Sequence, residues 1–526
     1  MLQFQDSKAK NLQIYQQGYI LYNDKIYEHN EIQILINNLH EKGIIDEAVK
    51  DFSGNFLLIL KETTNCKIIT DPYGSLPLFY TEVDSTIIIS QNWISLQNSL
   101  KNKRIDEHAL VDILCFSYVQ GARTLIKGIK EFPPHTITQI KNDQDNLEFK
   151  SYRQFKFEHQ SIPFKKAQKR FIEILNNRFG IYYDYMLKSN QKVFMPLTGG
   201  FDSRLLSYFA LKRNLPIRSM TYYYEGHNCE VDVAAKLVKA LPNFNSWTAF
   251  KITEDKFLEM LTSPQNYYSL TTSHVFQRMQ RECLKQLPAD MKFNLAGHTG
   301  DLITGGHLTT KMRFFKKRDD VVNYIVNFKC NHALADVLFE LNSHYKEILF
   351  ENIKSNISES ENWHSSYYIW NLEQRQRRFI IRSSIICDDP LTLILPYYDN
   401  ELVDFFRQLP YSYLLRQKLF VNTIFTKIFP EFPILKNTPR ESGDIKLIGN
   451  PYIADLWPKV IKKLQRVKVR KGLEHKIYDT IPKIEINMPS EFPTNQYFNL
   501  LQKKGIPLPY MQSLIAISEV IKAFNE

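Results

Sequence analysis

The stretch "MPLTGGFDSRLL", residues 195–206, decides how the second half of this 526-residue chain is read. It runs from apolar residues into a pair of glycines and sets Asp202 between the hydroxyls of Thr198 and Ser203. It then continues with Leu205, Leu206 and Phe209 at the spacing of one helix face. A buried strand that ends in a glycine-rich turn and opens a helix gathers backbone N–H groups, and the helix dipole adds positive character, so the turn suits an anion. Gly199 and Gly200 let the backbone come close to such an anion, and Thr198 and Ser203 can donate hydroxyl hydrogen bonds. Asp202 would be repelled by phosphate unless a cation lay between them, which points to Mg²⁺. The order G-x-x-x-x-G-K-[ST] is absent, so this is not a Walker loop. The plainer alternative is a tight turn whose hydroxyls cap the helix.

A second stretch, "NLAGHTGDLITGGH" (294–307), repeats the order of strand, glycine turn, acid and glycine pair. Around these two, "KVFMPL", "PIRSMTYYY" and "KFNLAG" read as strands, and "SRLLSYFALKRN" and "VDVAAKLVKAL" as helices. Alternating strands and helices predict a parallel sheet covered on both faces. Loops at the carboxyl ends of neighbouring strands would then face one crevice, where open α/β sheets bind ligands. Asp202 and Asp301 would hold Mg²⁺ on a pyrophosphate between them. His298 is expected to face the reacting centre rather than to ligate metal.

The bulk numbers bound the rest. The length calls for two or three domains, and 44% hydrophobic with 23% charged residues is a globular composition. No apolar run reaches the roughly 18 residues that span a bilayer. The opening "MLQFQDSKAKNLQIYQQ" lacks the order of a signal peptide. Six scattered cysteines without a C-x-x-C imply reduced thiols, a cytoplasmic location and no structural zinc. The net charge of +11 gathers in "KMRFFKKR" (311–318), "RQRRFIIR" (375–382) and "KVIKKLQRVKVRK" (459–471). These read as solvated helix faces, and no nucleic-acid motif accompanies them. Residues 10 to about 155 look like short strands between turns, and the chain from about 320 onward is mostly helical. The segment "KSYRQFKFEHQSIP" marks the boundary, giving domains 1–155 and 156–526.

With these motifs in order, the chain resembles the asparagine synthetase family nearly end to end. "PLTGGFDS" resembles that family's S-G-G-x-D-S loop, and "LAGHTGDLITGGH" its S-G-E-G-A-D-E-L-F-G-G-Y. "LPYYDNELVDFFRQLP" (395–410) resembles P-F-L-D-x-x-L-V-E-F-x-x-x-L-P. "DFSGNFLLIL" with "TDPYGSLPLFY" resembles the glutaminase-type domain. The resemblance implies an α/β architecture. An N-terminal degenerate glutaminase-like (Ntn-type) α+β domain would precede a parallel-sheet PP-loop ATP pyrophosphatase domain with a helical C-terminal part. It also implies an ATP- and Mg²⁺-dependent amide ligase that adenylates a carboxylate, releases pyrophosphate, and passes the acyl group to ammonia or an amine. Leu197, Thr198, Gly199, Gly200, Asp202 and Ser203 would hold pyrophosphate and Mg²⁺, with Asp301 as the second metal ligand. Tyr222, Ala296 and Gly297 would contact adenine.

The departures from the family sharpen the reading. The family's glutaminase uses an N-terminal cysteine, whereas residue 2 here is Leu2 and the first cysteine is Cys66. Of the N-G-E-I-Y signature only Asn23, Ile26 and Tyr27 match, so intrinsic glutaminase activity is not expected. His298 stands where the family has glutamate and Leu302 where it has a second acid, which points to altered amine or acceptor chemistry. Arg440 or Lys418 would take the part of the family's pyrophosphate-binding lysine. Alternatives within reach are a natural-product cyclase of peptide or β-lactam type and a tRNA-modifying PP-loop enzyme. The expected partners are a small-molecule or peptide carboxylate and an amine or ammonia. A membrane or a nucleic acid is not expected, and homodimerisation is left open.

Overall fold

The protein is described by a computed structural model. It leaves out residues 1–4, 7–11, 142–146, 225–228, most of 254–290, 384–390, 439–486, 505–511 and a few shorter stretches. The N-terminal part pairs Gln5–Asp6, Gln13–Tyr22, Phe56–Lys61, Asn65–Thr70, Thr136–Lys141 and Glu148–Ser151 in that spatial order as an antiparallel sheet. Lys25–Glu28 pairs with Gln13–Tyr22. Alternation along Phe56–Lys61 explains the layering, because successive side chains point to opposite faces. Phe56, Leu58 and Leu60 pack with Ile32 and Ile36 of helix Asn30–Glu41. Leu57 and Ile59 pack the other way, against Leu76, Leu78 and Phe132. Leu78 and Phe132 flank the strands Phe79–Val83 and Ile129–Glu131 of a second, three-stranded sheet. Beyond that sheet lies the buried helix Glu107–Phe116, whose N-cap Asp106 accepts a bond from the Ala109 N–H at 2.9 Å. The result is helix, sheet, sheet, helix.

The second half contains five parallel strands: β1 (Lys192–Pro196), β2 (Ile217–Tyr224), β3 (Phe244–Ile252), β4 (Met291–Leu295) and β5 (Thr392–Ile394). Their spatial order is β3-β2-β1-β4-β5, so the winding reverses between β1 and β4. Helix α1 (Phe201–Lys212) follows β1, α2 (Cys229–Ala240) follows β2, and the single turn α3 (Gly300–Ile303) follows β4. The expected strands β1, β2 and β4 and helices α1 and α2 are all present. Sequence patterning did not mark β3 and β5, the two edges. Leu205, Leu206 and Phe209 are fully buried, and so are Ser203, Arg204 and Ser207 on the other faces of α1. Past residue 310 the described chain is helical apart from β5. Among the described residues no helix is long and apolar enough to cross a membrane.

One basic cluster departs from the solvated faces expected of it. In "RQRRFIIR", Arg377, Arg378 and Arg382 are buried and converge on Glu131, at 2.7, 2.8 and 2.5 Å. Arg377 and Arg382 also donate to the Gly74 carbonyl, and Arg382 donates to that of Ser75. This stretch fastens the helical part onto the N-terminal domain. Its charge looks exposed in sequence because its counter-charge lies far away in the chain. By contrast "KMRFFKKR" is solvated as expected, with Lys311, Arg313 and Phe314 exposed. The cluster at 459–471 lies outside the described residues.

Burial alone would raise the Glu131 pKa, but the three guanidinium groups outweigh it and hold the carboxyl down at about 2. A depressed carboxylate stabilises the fold above its unfolded pKa, and that contribution fades as pH falls toward the folded value. Glu131→Gln strands three buried cations and should cost about 3–5 kcal/mol, read by denaturant titration near neutral pH. The part of the wild-type acid destabilisation that falls between about pH 4.5 and pH 2 should shrink in the variant.

Candidate active site

The first loop leaves β1 at Pro196. The Leu197 N–H still bonds to the Met220 carbonyl of β2 (3.2 Å), so the loop starts from a fixed edge. Thr198 Oγ1 accepts from the Gly200 N–H at 3.1 Å, and Ser203 Oγ donates to the Thr198 and Gly200 carbonyls at 3.0 and 3.1 Å. The two hydroxyls therefore shape the turn but do not cap α1 as the plainer expectation had it, for the N-cap Gly200 has no side-chain cap. A side chain on Gly199 would meet Val233 of α2 at 3.2 Å. Asp202 occupies the first turn of α1, where the helix N-terminus favours a negative charge.

The second loop leaves β4 and lies directly against the first, since β1 and β4 are hydrogen-bonded neighbours. A Cβ placed on Gly300 would fall 2.7 Å from Asp202 Cγ, and one on Gly297 would fall 3.5 Å from Asp202 Cβ. Asp202 thus lies against Gly297 and Gly300, and Asp301 is the next residue along, at the point where the sheet reverses its winding. Asp301 Oδ1 accepts from the Leu302 N–H and Oδ2 bonds to His307 Nε2, both at 2.8 Å. Burial works against its ionisation, yet His307 and Arg375 hold the carboxyl below its ordinary range. His298 is half-buried; burial pushes its pKa down to about 4 against the opposing pull of Asp301, so it is neutral at pH 7. Among the described residues no three His, Cys, Asp or Glu side chains cluster as a metal cage. Asp202 and Asp301 are the hard oxygen donors of the two loops that could hold Mg²⁺, an ion that keeps water and phosphate oxygens in its remaining positions.

The motif "LPYYDN" ties the crevice to the rest of the molecule. Tyr397 donates to the Asp202 carbonyl at 3.1 Å, while Tyr398 bonds to Thr299 Oγ1 at 2.7 Å, so adjacent tyrosines brace the two loops. Asp399 caps the next helix through the Glu401 N–H and pairs with Arg178, both at 3.0 Å. Asn400 donates to the Phe52 carbonyl of the N-terminal domain at 2.8 Å.

The two neighbouring loops carry Leu197, Thr198, Gly199, Gly200, Asp202, Ser203, Ala296, Gly297, His298 and Asp301. Tyr222 stands near the carboxyl end of the neighbouring strand β2, half-buried. Lys418 does not join them. It is exposed, with Nζ 5.7 Å from the centre of the Phe164 ring, and its neighbour Gln417 reaches the second loop instead, donating to Thr304 Oγ1 at 2.6 Å. Arg440 lies outside the described residues. Thr438, two positions earlier, is held by Arg204 of α1 through its carbonyl at 2.6 Å. Sequence reading missed His307, Tyr397 and Tyr398. All three stand inside quoted motifs, His307 at the place of the family's final tyrosine.

The sequence matches the family models "Glutamine amidotransferase domain" over residues 17–153 and "Asparagine synthase" over residues 184–434. The chain is 22% identical over 244 residues to asparagine synthetase [glutamine-hydrolyzing] 1 of Bacillus subtilis (strain 168). That match takes in 42% of this chain and spans only 37% of the relative's length. The chain belongs to the asparagine synthetase family. Among solved structures it is similar to glutamine phosphoribosylpyrophosphate amidotransferase from B. subtilis at 10% identity and a TM-score of 0.20, covering 42% of this chain and 48% of that one. It is similar to NMN synthetase from Francisella tularensis at 14% identity and a TM-score of 0.23, covering 42% of this chain and 97% of that one. Likenesses so low carry no argument; the architecture rests on the strand orders and the family matches.

Gly300→Ala tests the close approach of the loops. The new methyl group would displace the Asp202 carboxylate, a movable side-chain end, so the fold should lose only about 1–3 kcal/mol in thermal or denaturant melts. Mg²⁺·ATP affinity, followed by calorimetric titration, should fall about 10-fold or more. Unchanged affinity would mean that the place of Asp202 against Gly300 is not used in binding.

Proposed function

We propose that this chain is an ATP-dependent, AMP-forming amide ligase that adenylates a carboxylate and transfers the acyl group to ammonia or an amine. The observation that carries the reading is the pairing of two glycine loops, each bearing one aspartate, on adjacent parallel strands where the sheet reverses its winding. The B. subtilis relative's name and the asparagine synthase match support the same reaction class. In the first half-reaction a carboxylate oxygen of the substrate attacks the α-phosphorus of ATP and pyrophosphate departs. The N–H groups of the loop after Leu197 and the N-terminus of α1 receive the leaving charge, and backbone groups at Tyr222, Ala296 and Gly297 face adenine. Mg²⁺, when bound by Asp202 and Asp301, neutralises phosphate charge. Arg440 is the remaining candidate for the cation on pyrophosphate, given where Lys418 points.

In the second half-reaction the amine nitrogen attacks the acyl carbon, AMP leaves, and the nitrogen loses a proton. His298, neutral at pH 7 and part of the second loop, is the residue we assign to receive it. The charge-based case for a tRNA substrate weakens, because three arginines of the central basic cluster are inside the protein.

We also propose that the glutamine amidotransferase domain has no hydrolytic activity of its own. Its matched residues 17–153 contain two cysteines. Burial pushes the Cys66 thiol up to about 11, and Cys115, hydrogen-bonded to Cys330 and buried, is raised well above its ordinary value. Neither is a ready thiolate. Incubated with glutamine, the protein should release no glutamate above a blank. Release that is abolished by mutating a residue of that domain would overturn this.

The ligase reading is tested by pyrophosphate exchange into ATP across a panel of carboxylates. With an active substrate, Asp202→Asn and Asp301→Asn should each lower the exchange rate about 10²–10³-fold while leaving the fold intact. The nucleotide product should be AMP. ADP and phosphate would overturn the adenylate mechanism.

A further inference from the structure

We propose that His307 is a positioning residue for Asp301, fixed in that task by Asn371 from the π-helical stretch Asn371–Ile380. The inference rests on the reading of Asp301 as a ligand of nucleotide-bound Mg²⁺. The chain turns back on itself after α3: the Gly306 N–H bonds to the Asp301 carbonyl at 2.6 Å. Gly305 makes the turn at φ 94°, a left-handed angle, where a Cβ would stand 2.1 Å from the Leu414 carbonyl oxygen, so only glycine fits. This return brings the largely buried imidazole of His307 onto the half-exposed carboxylate, with Nε2 to Oδ2 at 2.8 Å.

The ring's other nitrogen settles the direction. Asn371 Nδ2, which can only donate, lies 2.9 Å from His307 Nδ1. Nδ1 therefore accepts, and the ring proton sits on Nε2 and points at Asp301. Asn371 is itself held: Nδ2 donates to the Tyr367 hydroxyl at 3.1 Å, and Oδ1 accepts from Gln376 Nε2 at 3.4 Å. Gln376 in turn accepts from Thr299 Oγ1 at 3.0 Å, on the same loop as Asp301. With the Leu302 N–H on Oδ1 and His307 on Oδ2, the carboxylate cannot rotate, yet each oxygen keeps a lone pair for a cation. A solvent-facing ion pair without such backing would fix nothing. Here the partner is packed and tethered, and hydrogen-bond partners of metal ligands typically contribute 10–100-fold in metal affinity or activity.

The test uses the whole chain with Mn²⁺·ATP as the probe, its binding read by electron paramagnetic resonance without any carboxylate substrate. His307→Leu keeps bulk but cannot donate, and should weaken Mn²⁺·ATP binding about 10–100-fold. His307→Gln, which can still donate toward Asp301, should restore most of the loss. In an Asp301→Asn background His307→Leu should add nothing further, whereas a merely structural lesion would add its own loss. If Asp301→Asn leaves binding unchanged, the metal-ligand reading itself falls. If Asp301→Asn weakens binding and His307→Leu does not, the positioning role is overturned and the ligand reading stands. Should His307→Leu fail to fold, Asn371→Ala, which leaves the imidazole in place but unanchored, carries the test. A wild-type affinity there overturns the proposal, and a loss that vanishes in the Asp301→Asn background supports it.

Discussion

Everything at the crevice depends on the parallel pairing of β1 with β4, Val193 opposite Phe293 and Phe194 opposite Asn294. These strands are far apart in sequence, and only their hydrogen bonding sets two loops side by side. Once they pair, the carboxyl ends of both strands open on the same side, and no helix can fill the gap because the winding runs away from it in both directions. Glycine then has a use where the loops touch: Gly300 leaves room for Asp202, and a methyl group there would push the carboxylate aside.

The N-terminal domain has a structural reason to persist whatever its chemistry. Glu131 gives three buried arginines their counter-charge, and Phe52 gives Asn400 an acceptor. The same helical stretch that carries those arginines also carries Asn371 and Gln376, which reach the second loop. The segment "LPYYDN" likewise joins Asp202 and Thr299 to the N-terminal domain. Removing that domain would expose the arginines on one side of the stretch and loosen the loop on the other.

What the sequence made legible follows from locality. The glycine loops could be read because a turn that must admit an anion has few solutions, and because glycine, acid and hydroxyl all sit within a few residues. The strands β1, β2 and β4 announced themselves as apolar runs, whereas β3, "FNSWTAFKI", mixes polar and apolar residues as an edge does. "RQRRFIIR" was misread because local charge says nothing about a carboxylate contributed from Ile129–Glu131. Which of two neighbouring side chains, Gln417 or Lys418, reaches the loop likewise escapes the sequence, since it depends on the left-handed backbone at Arg416 and Gln417, at φ 55° and 58°. His307 stood in plain view, but its meaning needed the turn at Gly305 and the amide of Asn371.

The replacements at positions 298 and 302 have a joint electrostatic consequence. The resembling family motif carries acids at both places, next to the aspartate that matches Asp301. Here the first is an imidazole kept neutral by burial and the second is Leu302, fully buried. The second loop thus carries one negative charge, that of Asp301, where the resembling motif carries three. On the proposed ligase reading, a polyanion would meet less repulsion there, and a neutral amine would meet an acceptor rather than a carboxylate that would hold it as an ammonium ion. An amine must be uncharged to attack an acyl carbon, so a less negative crevice favours the reactive form of the nitrogen nucleophile. On that same proposed reading, the altered residues would bear on the second half-reaction, and Asp202, Asp301 and their glycines on the first.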